Sequence, residues 1–166
     1  MRIEREDFLL HSADDVYPLV RDRLHELLPH LPGIESVEVL SRRPMSKGRT
    51  RVQSRWRIRP PALLGRLLPA AAFVWDEEAL WIDKSYCVQS TLRGYGYESR
   101  AKTFYEPASD WTRVRIEADV RFRPSSIDVP PENLEKIAVS AEQALREAIE
   151  PNMTALLDAI RERLGG

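Results

Sequence analysis

The stretch that most constrains how this chain can fold is its last fifth, Pro130 to Leu164. Leu134, Ile137, Ala138, Ala141, Leu145, Ile149, Met153, Leu156, Ile160 and Leu164 recur at three- and four-residue steps. That spacing puts apolar side chains on one face of a single long helix. Pro130 and Pro131 suit its first turn, where amides have no intrahelical acceptor to lose. Glu132 and Glu135 favour the positive end, Arg161 and Arg163 the negative end, and Gly165 suits a left-handed exit. At about 1.5 Å per residue the helix would be roughly 50 Å long. A stripe of that length needs a broad apolar cover. Pro151 removes the amide that would bond the carbonyl of Glu147, so a bend is expected there, beside Met153.

The preceding sequence supplies the cover. Ile3 to Leu10 reads as a first strand, and Ser12-Ala-Asp-Asp15 resembles a capping box opening a helix. That helix turns Val16, Leu19, Val20, Leu24, Leu27 and Leu28 inward, with Pro18 as a point where it could split in two. Pro29 and Pro32-Gly33 end it. From Ile34 the period becomes two. Ile34 to Ser41 reads as a strand, Arg42 to Gly48 as a turn-rich connection, and Arg49 to Arg59 as the cleanest alternation in the chain. Thr50, Val52, Ser54, Trp56 and Ile58 share one face of it, and Arg49, Arg51, Arg55, Arg57 and Arg59 the other. Ala71 to Trp75 resumes strand character, Asp76 to Glu78 reads as a turn, and a further strand lies within Leu80 to Leu92. Gly94-Tyr95-Gly96 turns into a strand over Tyr97 to Glu106. Pro107 to Asp110 then turns into Thr112 to Phe122. Strands joined by such short turns are antiparallel. The expected architecture is therefore α+β, a curved antiparallel sheet of about seven strands wrapped around the C-terminal helix.

Composition excludes several functions. With 166 residues the chain is expected to form one domain spanning 1–166. A net charge of −1 gives no overall field toward nucleic acid. The one cysteine, Cys87, excludes an internal disulfide and an all-cysteine metal site. MRIEREDF is too charged for a secretory signal, and no apolar run reaches membrane-spanning length, so a cytoplasmic protein without an integral membrane segment is expected.

The element order resembles the START-like superfamily, also described as SRPBCC, Bet v 1-like, or polyketide cyclase and lipid-transport proteins. Three stretches carry the resemblance: FLLHSADDVYPLVRD, DWTRVRIEADVRF, and the final helix. It implies a helix-grip fold and a hydrophobic small molecule or lipid held between sheet and C-terminal helix. In some members of such a family the same cavity folds and cyclises polyketide chains.

Against that background the candidate cavity wall is Ser54, Trp56, Trp75, Tyr97, Ser99, Thr103 and Tyr105 on the sheet, closed by Leu145, Ile149, Met153 and Leu156 on the helix. Aromatic rings supply apolar area and hydroxyls orient a ligand's polar group. A filled core is the alternative, but the strand bearing Tyr97, Ser99, Ala101, Thr103 and Tyr105 is small and polar for one. No catalytic signature is present. His11, His25 and His30 have no metal-ligand spacing, Cys87 has no neighbouring histidine, and strand carboxylates mostly alternate outward, with Asp83 of undecided register. No cofactor is implied. An aromatase/cyclase-type enzyme remains the rival reading, and a charged group projecting into the cavity with a shifted pKa would favour it. The arginine row reads as a solvated face paired with acids of neighbouring strands such as Glu38. Ala62 to Leu68, apolar and hinged by proline and glycine, reads as a lid, a membrane-touching loop, a homodimer contact, or a loop folded on its own core.

Overall fold

The computed structural model describes residues 1–60, 65, 68–122 and 149–165. Strand β1 (Arg2–Leu9) leads into helix α1 (Ala13–Asp22) and the short α2 (Leu24–Leu27). Strands β2 (Ile34–Met45), β3 (Arg49–Ile58), β4 (Val74–Ile82), β5 (Cys87–Gly94), β6 (Tyr97–Ala108) and β7 (Trp111–Phe122) follow, and helix α3 covers 149–164. Residues 123–148, over which the sequence predicts the start of the C-terminal helix and Leu145, and most of Ala62 to Leu68 lie outside the described residues.

The seven strands form one antiparallel sheet in the order β1-β7-β6-β5-β4-β3-β2. Consecutive strands from β2 to β7 are neighbours, as short turns require. The first two strands of the chain therefore lie at opposite edges, and the α1–α2 segment connects them. Register shifts at Ile34/Ser36 and Val39/Ser41 interrupt the β2–β3 ladder, the kind of irregularity that bends a strand and increases sheet twist. The architecture is the α+β helix grip, a curved sheet with a C-terminal helix across its inner face.

Local chemistry accounts for the boundaries. Ser12 caps α1 through its side-chain oxygen, which accepts the Asp15 amide at 3.2 Å, and its hydroxyl donates to Asp15 Oδ2 at 2.6 Å. The helix runs through Pro18 and ends at Asp22 with Arg23 as its cap, so the break falls five residues after the proline. Two strands exceed their expected length: β2 continues to Met45 and β6 to Ala108. The positive φ of Lys47 and Gly48 makes the β2–β3 turn so tight that the flanking residues pair up to Met45↔Arg49.

The largest difference from expectation is at Asp76–Glu78. These acids form no turn; they lie inside β4, paired with Arg55, Gln53 and Ser54 on one side and with Arg93, Leu92 and Thr91 on the other. Asp76 receives Arg55 Nε at 2.8 Å, which offsets the cost of carrying charge within a strand. Arg51 lies 3.8 Å from Glu78 across the same strand pair. Two arginines of the β3 row are thus engaged by acids on β4.

The core is solid where α1 and α3 meet the sheet. Leu9, Val16, Leu27 and Ile160 are completely buried there, with Tyr17, Leu19, Trp81, Tyr105, Val114 and Leu157 packed among them. The Tyr17 ring meets Trp81, Tyr86 and Tyr105 edge-on at 5.5, 5.5 and 5.8 Å. Polar ties fix α3 in place. Arg5 Nη1 donates to Thr154 Oγ1 at 2.9 Å, and Arg161 Nη2 donates to Asp7 Oδ1 at 3.0 Å. Asn152 Oδ1 accepts the Gly33 amide at 2.9 Å, and a Cβ at Gly33 would stand 2.2 Å from Asn152 Nδ2, so a larger residue there would displace the Asn152 side chain.

Candidate functional site

Side chains that face α3 are arranged in rows across the sheet by the strand register. One row runs Val52–Ala79–Ser90–Ala101–Ala118–Ile3 across β3, β4, β5, β6, β7 and β1. Four successive members are alanine or serine. Small residues at facing positions leave space that neither the sheet nor the helix fills. Towards the solid core the next row carries Trp81, Val88, Thr103 and Ile116, and there the interior closes. On the other side lies the row Ser54–Glu77–Leu92–Ser99–Val120.

A cavity of about 280 Å³ occupies the hollow. Ser90, Ala101 and Ala118 form its floor, Trp56, Trp75 and Tyr97 one side, and Ile149, Asn152, Met153 and Leu156 of α3 the roof. Trp56 and Trp75 are direct cross-strand partners, and Trp75 meets Tyr97 edge-on at 4.8 Å. The Tyr97 ring lies over Gly94, where any Cβ would come within 2.5 Å of its hydroxyl. That hydroxyl is buried with no hydrogen-bond partner, and burial holds its pKa far above the usual tyrosine value.

Among the described residues the one carboxylate lining the cavity is Glu77. It sits deep in the protein and lines the cavity. Ser54 Oγ donates to Glu77 Oε2 at 2.8 Å, and Trp56 Nε1 donates to the same oxygen at 2.9 Å and to Ser54 Oγ at 3.1 Å. Among the described residues no arginine, lysine or histidine pairs with it. Burial raises the Glu77 carboxyl above the ordinary carboxylate range, and the two hydrogen bonds oppose that shift without cancelling it. An acid of this kind keeps its proton to a higher pH than a solvated carboxyl does.

Seven of the eleven residues anticipated for the cavity wall line it: Trp56, Trp75, Tyr97, Ser99, Ile149, Met153 and Leu156. Ser54 lies behind the wall, 3% exposed, as a donor to Glu77. Tyr105 is in the solid core against Tyr17, and Thr103 shares its row with Trp81 and Val88, so neither lines the cavity. Leu145 lies outside the described residues. Glu77 itself was missed, because three consecutive acids read as a turn. The overlooked signal is the alternation of Trp75, Ala79 and Trp81, which puts Glu77 on the same face.

Other reactive groups are engaged elsewhere. Asp83 accepts Arg21 Nη1 at 2.7 Å and the Tyr17 hydroxyl at 3.3 Å, outside the cavity lining. Cys87 is buried, and desolvation pushes its thiol pKa up, which disfavours the nucleophilic thiolate. Among the described residues no group of three His, Cys, Asp or Glu side chains could hold a metal ion. A larger, open depression of about 660 Å³ lies on the outer sheet face, where Arg51, Arg100 and Lys102 alternate with Glu78, Glu117 and Asp119. Its mixed charges give it less binding character than the apolar inner hollow.

No family model matches the chain, and no curated protein matches it. Solved structures do. TTHA0849 from Thermus thermophilus is 19% identical with a TM-score of 0.72, covering 100% of both chains. The Zhui aromatase/cyclase from a Streptomyces species is 15% identical with a TM-score of 0.69, over 98% of this chain and 92% of that one. Norcoclaurine synthase from Thalictrum flavum is 15% identical with a TM-score of 0.62, over 99% of this chain and 86% of that one. Identities this low speak to architecture alone. The chain has the START-like, Bet v 1-like helix-grip fold.

Proposed function

We propose that this protein binds a hydrophobic small molecule or lipid segment in the cavity between the sheet and α3, for transport, sensing or presentation. The observation that carries the reading is the row of small residues Ser90, Ala101 and Ala118. It keeps the interior hollow under an apolar helix face, while aromatic rings line one side. A protein selected only for a dense core gains by filling such a gap, since each unfilled methyl-sized void costs about 1 kcal/mol.

The test is native mass spectrometry of freshly purified protein for a co-purifying apolar molecule, followed by titration with a neutral apolar fluorophore. We expect binding that weakens about tenfold or more in Trp56→Ala, which removes one cavity wall. No probe uptake, or uptake indifferent to Trp56, would end the proposal.

One observation favours a second reading, chemistry on the bound molecule. Glu77 is a carboxyl facing the cavity with a raised pKa, the feature that separates an aromatase/cyclase-type site from a passive container. The structural neighbours include an aromatase/cyclase and a synthase, which makes proton transfer in this cavity a reasonable assay to run beside the binding test.

A further inference from the structure

The two oxygens of Glu77 are not equivalent. Oε2 receives both available donors, Ser54 Oγ at 2.8 Å and Trp56 Nε1 at 2.9 Å. The indole N–H can only donate, and it also reaches Ser54 Oγ at 3.1 Å, so the serine hydroxyl keeps its own hydrogen for Glu77. With two hydrogens aimed at it, Oε2 has no room for a third. Oε1 has no hydrogen-bond partner among the described residues, and Glu77 faces the cavity.

A carboxyl in this setting has two forms. Ionised, it would be a buried anion without a described counter-ion, in a wall otherwise built of apolar groups, hydroxyls and one amide. Neutral, its carbonyl oxygen is Oε2, already satisfied, and its proton must sit on Oε1. The neutral form therefore presents an O–H donor to the cavity, with no protein acceptor described for it. Among the described residues the one other titratable side chain lining the cavity is Tyr97, which is itself neutral, so no second charge competes for that proton.

We propose that Glu77, positioned by Ser54 and Trp56, is a neutral hydrogen-bond donor that selects a ligand carrying a carbonyl oxygen on an otherwise apolar body. This rests on the cavity being a binding site and adds the chemical class of its occupant. An amine or other cationic group is disfavoured, because Oε1 is not an anion. A pure hydrocarbon is tolerated but leaves a buried donor unpaired, at a net cost of about 1 kcal/mol.

The experiment uses three matched probes with wild-type protein, followed by intrinsic tryptophan quenching at neutral pH, since Trp56 and Trp75 line the cavity. The probes are 2-acetylnaphthalene, 2-ethylnaphthalene and 1-(2-naphthyl)ethylamine. The ketone is expected to bind about five- to tenfold more tightly than the hydrocarbon, and the amine more weakly than either. Glu77→Gln should keep the ketone preference, since an amide can accept the two donors with its oxygen and turn its NH₂ to the cavity. Glu77→Leu should abolish the preference, so that ketone and hydrocarbon bind equally. Equal affinity for ketone and hydrocarbon, preference for the amine, or loss of ketone preference in Glu77→Gln would each overturn the inference. In those cases hydrocarbon binding would still leave the cavity reading standing. Failure of all three probes to bind would overturn both.

Discussion

The two halves of the inner sheet face are built from the same alternating strands and covered by the same helix, yet one is solid and the other hollow. In the solid half, Tyr17 reaches from α1 to meet Trp81, Tyr86 and Tyr105, and Leu157 and Ile160 of α3 fill the remaining space. In the hollow half no residue of α1 lines the space; Ala101 and Ala118 replace bulkier side chains, and α3 stands over a gap. The difference is one of side-chain size and not of backbone plan. It suggests a division of labour in which one half supplies stability and the other gives up packing to keep a volume free.

The comparison breaks most visibly under truncation of the solid half. Ile160 is fully buried among core residues, so Ile160→Ala should cost about 3 kcal/mol, transfer and cavity terms together. Denaturant melts would read this as a lower midpoint with little change in slope. Apolar-probe affinity should change less than twofold in the protein that remains folded. A loss below 1 kcal/mol would mean that the solid half is not the stabilising one.

The opposite change is enlargement in the hollow half. Ala101→Leu adds three carbons to the cavity floor, where there is room for them. Overpacking a dense core by this much costs about 1–3 kcal/mol, whereas here stability should stay within about 1 kcal/mol and can rise. Probe binding should fall at least tenfold, because the new side chain occupies the ligand's place. If Ala101→Leu instead destabilised strongly and left binding unchanged, the cavity would lie elsewhere.

How much of this was legible in the sequence depends on the kind of information each part needs. Antiparallel strands announce themselves when one face is wet and one is apolar, and β3 and β7 did so with arginines opposite Val52, Ile58, Val114 and Val120. Their positions fixed the architecture and most of the aromatic wall. The register between strands was not legible, since it arises from pairing across distant segments. Thr103 and Tyr105 have the same parity as Tyr97 and Ser99, so the period of two could not separate those over the cavity from those in the solid core. Only their partners Val88 and Val114 reveal the difference. Glu77 was hidden for a related reason. Flanked by Asp76 and Glu78 it looks solvated, and its environment is set by Ser54 and Trp56, more than twenty residues away.

The finest test of the contrast is electrostatic, because among the described residues the solid half buries no lone carboxyl and the hollow half buries Glu77. Its folded-state pKa is raised above the ordinary 4.5. Between those two values the folded protein binds more protons than the unfolded chain, so stability falls as pH rises through that window and levels off above it. Below the unfolded pKa both states are protonated and the penalty disappears. Glu77→Gln removes the titration while offering an oxygen to Ser54 and Trp56. The difference in stability between Glu77→Gln and wild type should therefore grow in favour of the variant as pH rises from about 4.5, until the folded protein too has released the Glu77 proton. Paired denaturant titrations across this range measure it. A difference that stays flat with pH would mean that Glu77 is ionised in the folded protein at little cost, and the hollow half would then hold a charge and favour a cationic guest.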